Sequence, residues 1–306
     1  MPLMPSSPLR IGIIGGTGLG DALASHDGQS LNLDTPFGEP SSPILTTQWH
    51  GLDIFIIQRH GPGHALNPTN VPYRANIFAL KSLGVTHILA SGATGSLRET
   101  IAPGQLVLAD QVIDKTFRRP GTFYERAAVH IELAEPFCPV MRRWLRAAAD
   151  RLKREGSDLH VHDAGTYVCM EGPAFSTRAE SLMHQAWGGD LIGMTAMPEA
   201  RLAREAEIAY ALIAMPTDYD CWRPHRADTA PQALIAEIIA NLQQAARNNL
   251  TLMKAALADV SLLRNEPSPA HDALQLAIWT DKSRIDPAEI DRLHPLWGRY
   301  FDPVTS

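Results

Sequence analysis

Short apolar runs alternating with stretches of helical spacing constrain the fold of this chain more than any other feature. Strands are predicted over residues 10–14, 43–49, 52–58, 85–91, 106–113, 159–170, 190–194 and 208–215, each brief and bounded by turn residues. Between them, Val71, Ala75, Phe78 and Ala79 repeat at helical spacing behind Asn70, a candidate cap. Residues 139–154 are amphipathic, with Pro139 in the first turn and Gly156 as a stop. Further helices are predicted over 178–187, 198–205 and 231–257. Alternation without a linker before about residue 258 predicts a single α/β domain over residues 1–306. Residues 1–9 are expected to be flexible. Residues 264–270 read as a connecting loop within a C-terminal helical extension, 258–306. Leu274, Leu276, Ile278, Trp279, Leu296 and Trp297 predict that this tail packs on the rest of the chain.

Composition excludes several classes. The chain is 45% hydrophobic and 20% charged, which suits a globular core. Its net charge is −6 and no dense Lys/Arg run occurs, so a nucleic-acid groove is not expected. Cys138, Cys169 and Cys221 are widely spaced and odd in number, which argues against a disulfide framework. The N-terminus lacks a signal-peptide pattern, and no apolar stretch approaches the roughly 20 residues of a membrane span. The expectation is a cytoplasmic protein with no membrane partner.

Chemistry gathers at the predicted strand ends. Asp218-Tyr219-Asp220 closes the apolar run 208–215, and the ends of strands are where ligands bind in α/β sheets. Two carboxylates held close do not both ionise freely, so one can stay a proton donor; a solvated Asp turn explains the pattern equally well. Gly15-Gly16-Thr17-Gly18-Leu19-Gly20 follows the first strand, but no frame supplies the dinucleotide glycine spacing, and Asp21 stands where a P-loop needs Lys. What remains is a turn whose amides can face an anion, or a plain tight turn. Arg59-His60-Gly61 offers planar donors for phosphate oxygens, or else a structural ion pair. His64 after His60, and His160 with His162, lack a third ligand nearby, so metal is not expected at either pair. Residues 91–96 are mostly small and permit close backbone approach to a ligand. Phe175 reads as a core residue or a platform for a planar ring. Met194-Thr195 adds an apolar surface and a hydroxyl. Convergence of these edges predicts one pocket.

Several segments together carry a resemblance. Gly15-Gly16-Thr17-Gly18, Thr35-Pro36-Phe37-Gly38, Arg59-His60-Gly61, Ala134 to Pro139, Glu171-Gly172-Pro173 with Phe175-Ser176, Arg178-Ala179-Glu180-Ser181, Met194-Thr195 with Met197-Pro198-Glu199, and Asp218-Tyr219-Asp220-Cys221-Trp222 occur in order over about residues 10–225. In these the chain resembles the trimeric purine nucleoside phosphorylase family, in its thioadenosine-cleaving branch. The resemblance implies a mixed central β-sheet flanked by helices. It implies phosphorolysis of methylthioadenosine, with inorganic phosphate as co-substrate and no other cofactor. It also implies a homotrimer, or a hexamer built from trimers.

Carried over by position, Thr17, Arg59, His60 and Thr195 are implied phosphate ligands, with backbone donors from Gly92 and Ala93. Met194 and Ala93 would lie against the ribose and Leu234 near the apolar 5′ group. Phe175 and Ser176 would meet the purine. Asp218 would protonate or hydrogen-bond N7, and Asp220 would recognise the 6-amino group. His130 matches a residue that the family lends to a neighbouring subunit. Two positions depart from the branch: Gly92 replaces a phosphate-binding Thr, and Gly193 replaces Asn. The carboxylate pair favours adenine over 6-oxopurines. Rival readings are a 6-oxopurine or adenosine phosphorylase, a nicotinamide-dependent oxidoreductase, and a purine-binding protein without turnover.

Overall fold

A computed structural model describes residues 8–17, 28–224 and 230–301. Most of the expected flexible start, and Gly18 to Gly20 of the glycine turn, lie outside these residues. Eleven strands form one mixed sheet: β1 Ile11–Gly15, β2 Gln29–Leu31, β3 Ile44–Trp49, β4 Leu52–Gln58, β5 His87–Ser96, β6 Leu106–Leu108, β7 Gln111–Lys115, β8 Val161–His162, β9 Thr166–Met170, β10 Leu191–Gly193 and β11 Ala209–Asp218. β2 is too short and polar to carry a periodic signal, and it escapes the sequence reading. β3 and β4 are joined by a two-residue turn in which His50 and Gly51 both have positive φ, the twist that suits a tight hairpin.

β1 lies between β4 and β5, all parallel, and β5 also pairs in parallel with β11. These four strands therefore end at one edge. β10 meets the far end of β5 antiparallel, Leu191 opposite Ser96, so its own C-terminus runs back alongside the middle of β5. β9 accompanies β10 in parallel. This reversal brings Gly193 to Thr195 beside Gly92 instead of beyond Ser96.

Residues 106–113 and 159–170, read as single strands, are each broken. β6 pairs with β8 and β7 with β9 in one continuous register, and the Gly165 amide donates to the Asp110 carboxylate across the break. Both strands bend together, so that one ladder serves β11 at one end and β10 at the other. Periodicity reports a strand but not a change of neighbour.

Side chains alternate across the sheet. Ile11, Ile13 and Leu89 face a core that includes Trp144 and Leu145 from the helix Pro139–Arg154 and Leu252 from the helix Pro231–Leu257. Ile14, Ile88 and Ala90 face the opposite core, with Ile77 and Leu80 of the helix Tyr73–Ser82 and Leu202 of the helix Ala196–Glu205. The tail reaches this second core with Leu274, Leu296 and Trp297 fully or almost fully buried. Leu276 and Trp279 stay exposed, so only part of the tail's apolar set packs on this chain. Arg299 and Tyr300 tie the tail to the buried Glu207 carboxylate. Part of the predicted loop 264–270 is helical, as the end of Ser261–Asn265 and a short turn Pro269–Asp272. Among the described residues no helix is long and apolar enough to cross a membrane.

Candidate active site

The converging strand ends enclose a cavity of about 720 Å³, of the size that small-molecule sites occupy. Thr17, Arg59 and His60 line it from the ends of β1 and β4. Gly92 and Ala93 line it from β5, and Met194 and Thr195 from the segment after β10. Phe175, Asp218 and Asp220 complete the predicted set found there. Ser176, Leu234 and His130 are not among its lining residues. Ser176 sits just behind the wall, its carbonyl accepting from the Cys221 thiol. On the long helix the cavity meets Ile238 and Leu242, one and two turns beyond Leu234. The helix spans the residues 231–257 that periodicity predicts. His130 instead bonds the Ala277 carbonyl through its amide and sets its ring edge against exposed Trp279.

One end of the cavity holds a buried guanidinium. The Arg59 side chain is fully buried and clasps Glu199, with Nε and Nη2 each 2.7 Å from a carboxylate oxygen. Nη1 donates to the Ser91 carbonyl, and the Tyr210 hydroxyl donates to Glu199 at 2.8 Å. The ion pair and the ligand-facing arginine are thus the same residue, since three of its five N–H groups are used and two remain. Burial opposes the charge on Arg59, but Glu199 more than offsets this and raises its pKa. His60 is different: burial, then the Arg59 charge, lowers its pKa to about 4. Its Nδ1 lies 2.8 Å from the Leu66 carbonyl, an acceptor only, so Nδ1 carries the proton and Nε2 is left with a lone pair. His60 and His64 stack at 4.2 Å, and among the described residues no group of three or more metal-type side chains is assembled.

The other end is acidic. The Asp218 carboxylate accepts from the Thr217 hydroxyl at 2.7 Å and from the Asp220 amide at 2.8 Å. The second bond is an Asp turn, and it leads into the short helix Asp220–Trp222 with Asp220 at φ 49°. Turn and site are therefore one object. Asp220 accepts from Ser181. Its pKa is raised, by burial first and with the Asp218 charge adding to it, against hydrogen bonds that lower it. Burial thus favours the protonated form of Asp220. Gly95 lies beneath both: a Cβ there would come within 3.1 Å of the Asp220 Cβ and 3.3 Å of an Asp218 oxygen. Phe175 is 85% exposed, so it is no core residue and offers its ring to the cavity.

The wall between the ends is held by Arg119, which the sequence does not single out. Its guanidinium donates to the Met194, Met197 and Glu171 carbonyls and to the Glu171 carboxylate. Burial raises the Glu171 carboxyl, but bonds from Thr69, the Phe117 and Arg118 amides and Arg119 bring it to about 2. Glu199, Tyr210 and Arg119 reach their partners from distant segments, so spacing carries no signal of them. Glu199 alone lies within a quoted motif.

Comparisons with known proteins agree with this geometry. A family model described as the phosphorylase superfamily matches residues 10–258. The chain is 46% identical over 295 residues to the S-methyl-5′-thioadenosine phosphorylase of Chloroflexus aurantiacus, covering 95% of this chain and 98% of the relative. Identity to that of Geobacter sulfurreducens is 44% over 292 residues, 95% of this chain and 98% of the relative. A crystal structure of a methylthioadenosine phosphorylase from an antarctic soil metagenomic library matches with a TM-score of 0.85 at 42% identity, over 95% of this chain and 99% of that one. The Schistosoma mansoni methylthioadenosine phosphorylase in complex with adenine matches with a TM-score of 0.78 at 33% identity, over 89% of this chain and 99% of that one. The chain belongs to the phosphorylase superfamily, and within it to the S-methyl-5′-thioadenosine phosphorylase family.

Proposed function

We propose that this chain cleaves S-methyl-5′-thioadenosine with inorganic phosphate, giving adenine and 5-methylthioribose 1-phosphate. The observation that carries the reading is a single cavity with a buried arginine at one end and two carboxyls at the other. A phosphate oxygen attacks the anomeric carbon while the bond to N9 breaks, and the electron pair leaves with the purine. The sugar passes through an oxocarbenium-like state, and the base needs a proton at N7.

Thr17, Arg59, His60, Thr195 and the amides near Gly92 and Ala93 are the proposed phosphate ligands. The unshared N–H groups of Arg59 suit phosphate oxygens. The bare Nε2 of His60 can accept a proton carried by the phosphate. Met194 is proposed to lie beneath the ribose and Phe175 against the purine. Asp220 is proposed to accept from the 6-amino group and Asp218 to protonate N7. A purine that fills the cavity desolvates Asp220 further, in the direction its burial already favours. Ile238 and Leu242 supply the apolar setting for a methylthio group and take the place expected of Leu234.

The same reading includes a cytoplasmic homotrimer with phosphate as its only co-substrate. His130, outside this chain's cavity and beside exposed Trp279, is the proposed contribution to a neighbouring site. Phosphate-dependent release of adenine from methylthioadenosine, run beside adenosine and inosine, tests the activity. Faster cleavage of inosine would overturn it.

A further inference from the structure

Gly193 departs from the branch pattern, and the structure gives the local cause. A Cβ at Gly193 would stand 1.9 Å from the Tyr167 hydroxyl oxygen and 2.5 Å from the ring carbon bearing it. β9 and β10 run side by side, with Tyr167 opposite Leu191 and Cys169 opposite Gly193. The fully buried Tyr167 side chain thus ends in the volume that a side chain at 193 would occupy. The polar group at this point enters from β9 and not from β10.

The hydroxyl ends among groups of the guanidinium end. The Thr195 amide donates to it across 3.4 Å, which sets the Thr195 side chain beside it. The Thr195 hydroxyl is itself 3.3 Å from where a Cβ on Gly92 would stand, so Tyr167, Thr195 and Gly92 are consecutive neighbours. Burial lifts the Tyr167 pKa well above the usual phenol range, so the proton stays on. A buried phenol proton requires an acceptor, and the hydroxyl of the adjacent Thr195 is a group that can supply one. Two adjacent hydroxyls can donate in either order. An anion accepting from Thr195 fixes that order.

Resting on the reading of Thr195 as a phosphate ligand, we propose that Tyr167 is a positioning residue for the phosphate. Its hydroxyl donates to the Thr195 oxygen and so aims the Thr195 proton at the anion, offsetting the donor absent at Gly92. Tyr167 and any side chain at position 193 exclude each other, since a Cβ at Gly193 would stand 1.9 Å from the Tyr167 hydroxyl oxygen.

Steady-state kinetics with phosphate and nucleoside varied in turn test this. Tyr167→Phe keeps the ring and removes the hydroxyl. It should raise the phosphate KM about tenfold, the effect of one lost hydrogen bond to a charged ligand, while the nucleoside KM changes by less than about twofold. Thr195→Val should raise the phosphate KM by itself, and adding Tyr167→Phe to it should change the phosphate KM by less than about twofold, since the two act through one bond. The rise in melting temperature on adding phosphate, which needs no turnover, should shrink in both single variants. An unchanged phosphate KM in Thr195→Val would overturn the phosphate assignment itself. A raised KM there with no change in Tyr167→Phe, or effects that multiply in the double variant, would overturn the role of Tyr167 and leave the proposed activity standing.

Discussion

Replacing Glu199 with Gln removes one charge from the most buried ion pair of the molecule. The Arg59 and Glu199 side chains are 0% and 1% exposed, so no solvent screens the change. Two bonds of 2.7 Å hold the pair, and Tyr210 adds a third contact to the carboxylate. Gln keeps one acceptor, but both carboxylate oxygens accept from Arg59, so either orientation turns an amide NH₂ toward the guanidinium. One bond becomes a clash of donors, and the arginine keeps a buried charge without its counter-ion. Breaking a buried pair from one side costs about 3–5 kcal/mol. Given about 2–4 °C per kcal/mol for chains of this size, the melting temperature should fall by roughly 10 °C. Because Arg59 also faces the cavity, the phosphate KM should rise more than the nucleoside KM. Urea unfolding with and without phosphate, followed by kinetics on the folded variant, measures both. A loss of stability under about 1 kcal/mol, typical of exposed pairs, would refute the claim that Glu199 fixes Arg59.

Three more outcomes follow from named residues. Asp218→Ala should lower kcat by roughly 10²–10⁴-fold with a much smaller change in KM, the usual scale for a lost proton donor; unchanged turnover would remove Asp218 from the mechanism. Phe175→Ala touches a ring that is 85% exposed, so stability should stay within about 0.5 kcal/mol of the parent. Its nucleoside KM should rise about 2–10-fold for the lost stacking, and an unaltered KM would show that the ring does not meet the base. Burial holds His60 at about 4 and His87 at about 3, both below the ordinary 6.5 of a histidine, so each is kept neutral in the fold. Their contribution to stability is complete above 6.5 and is lost as pH falls toward 4 and then 3. The melting temperature should decline over that window, with a flatter decline in His87→Leu; parallel curves for the two proteins would count against it.

The sequence shows strand ends but not which strands share an edge, and that limit explains most of what it conveys and conceals here. Thr17, Arg59, His60, Asp218 and Asp220 converge because β1, β4 and β11 run parallel in one sheet, whereas Thr195 and Phe175 arrive from β10 and β9, which run the other way from β5. Alternatives that look exclusive along the chain were both true in space. Arg59 is a structural ion pair on one side and faces the cavity on the other, because Glu199 lies 140 residues away and leaves no local trace. Asp218 makes a turn, and the turn is what sets Asp220 beside it. Ile238 and Leu242 follow Leu234 by one and two turns on the same helix and left no separate signal, since an amphipathic pattern fixes a face but not which turn meets a cavity. Gly193 is the sharpest case. As a lone departure it reads as a missing side chain, yet its cause is Tyr167 on the adjacent strand, a residue unremarkable in its own run. A substitution at a site is therefore interpretable only together with the neighbour that fills the space, and that neighbour is set by sheet register.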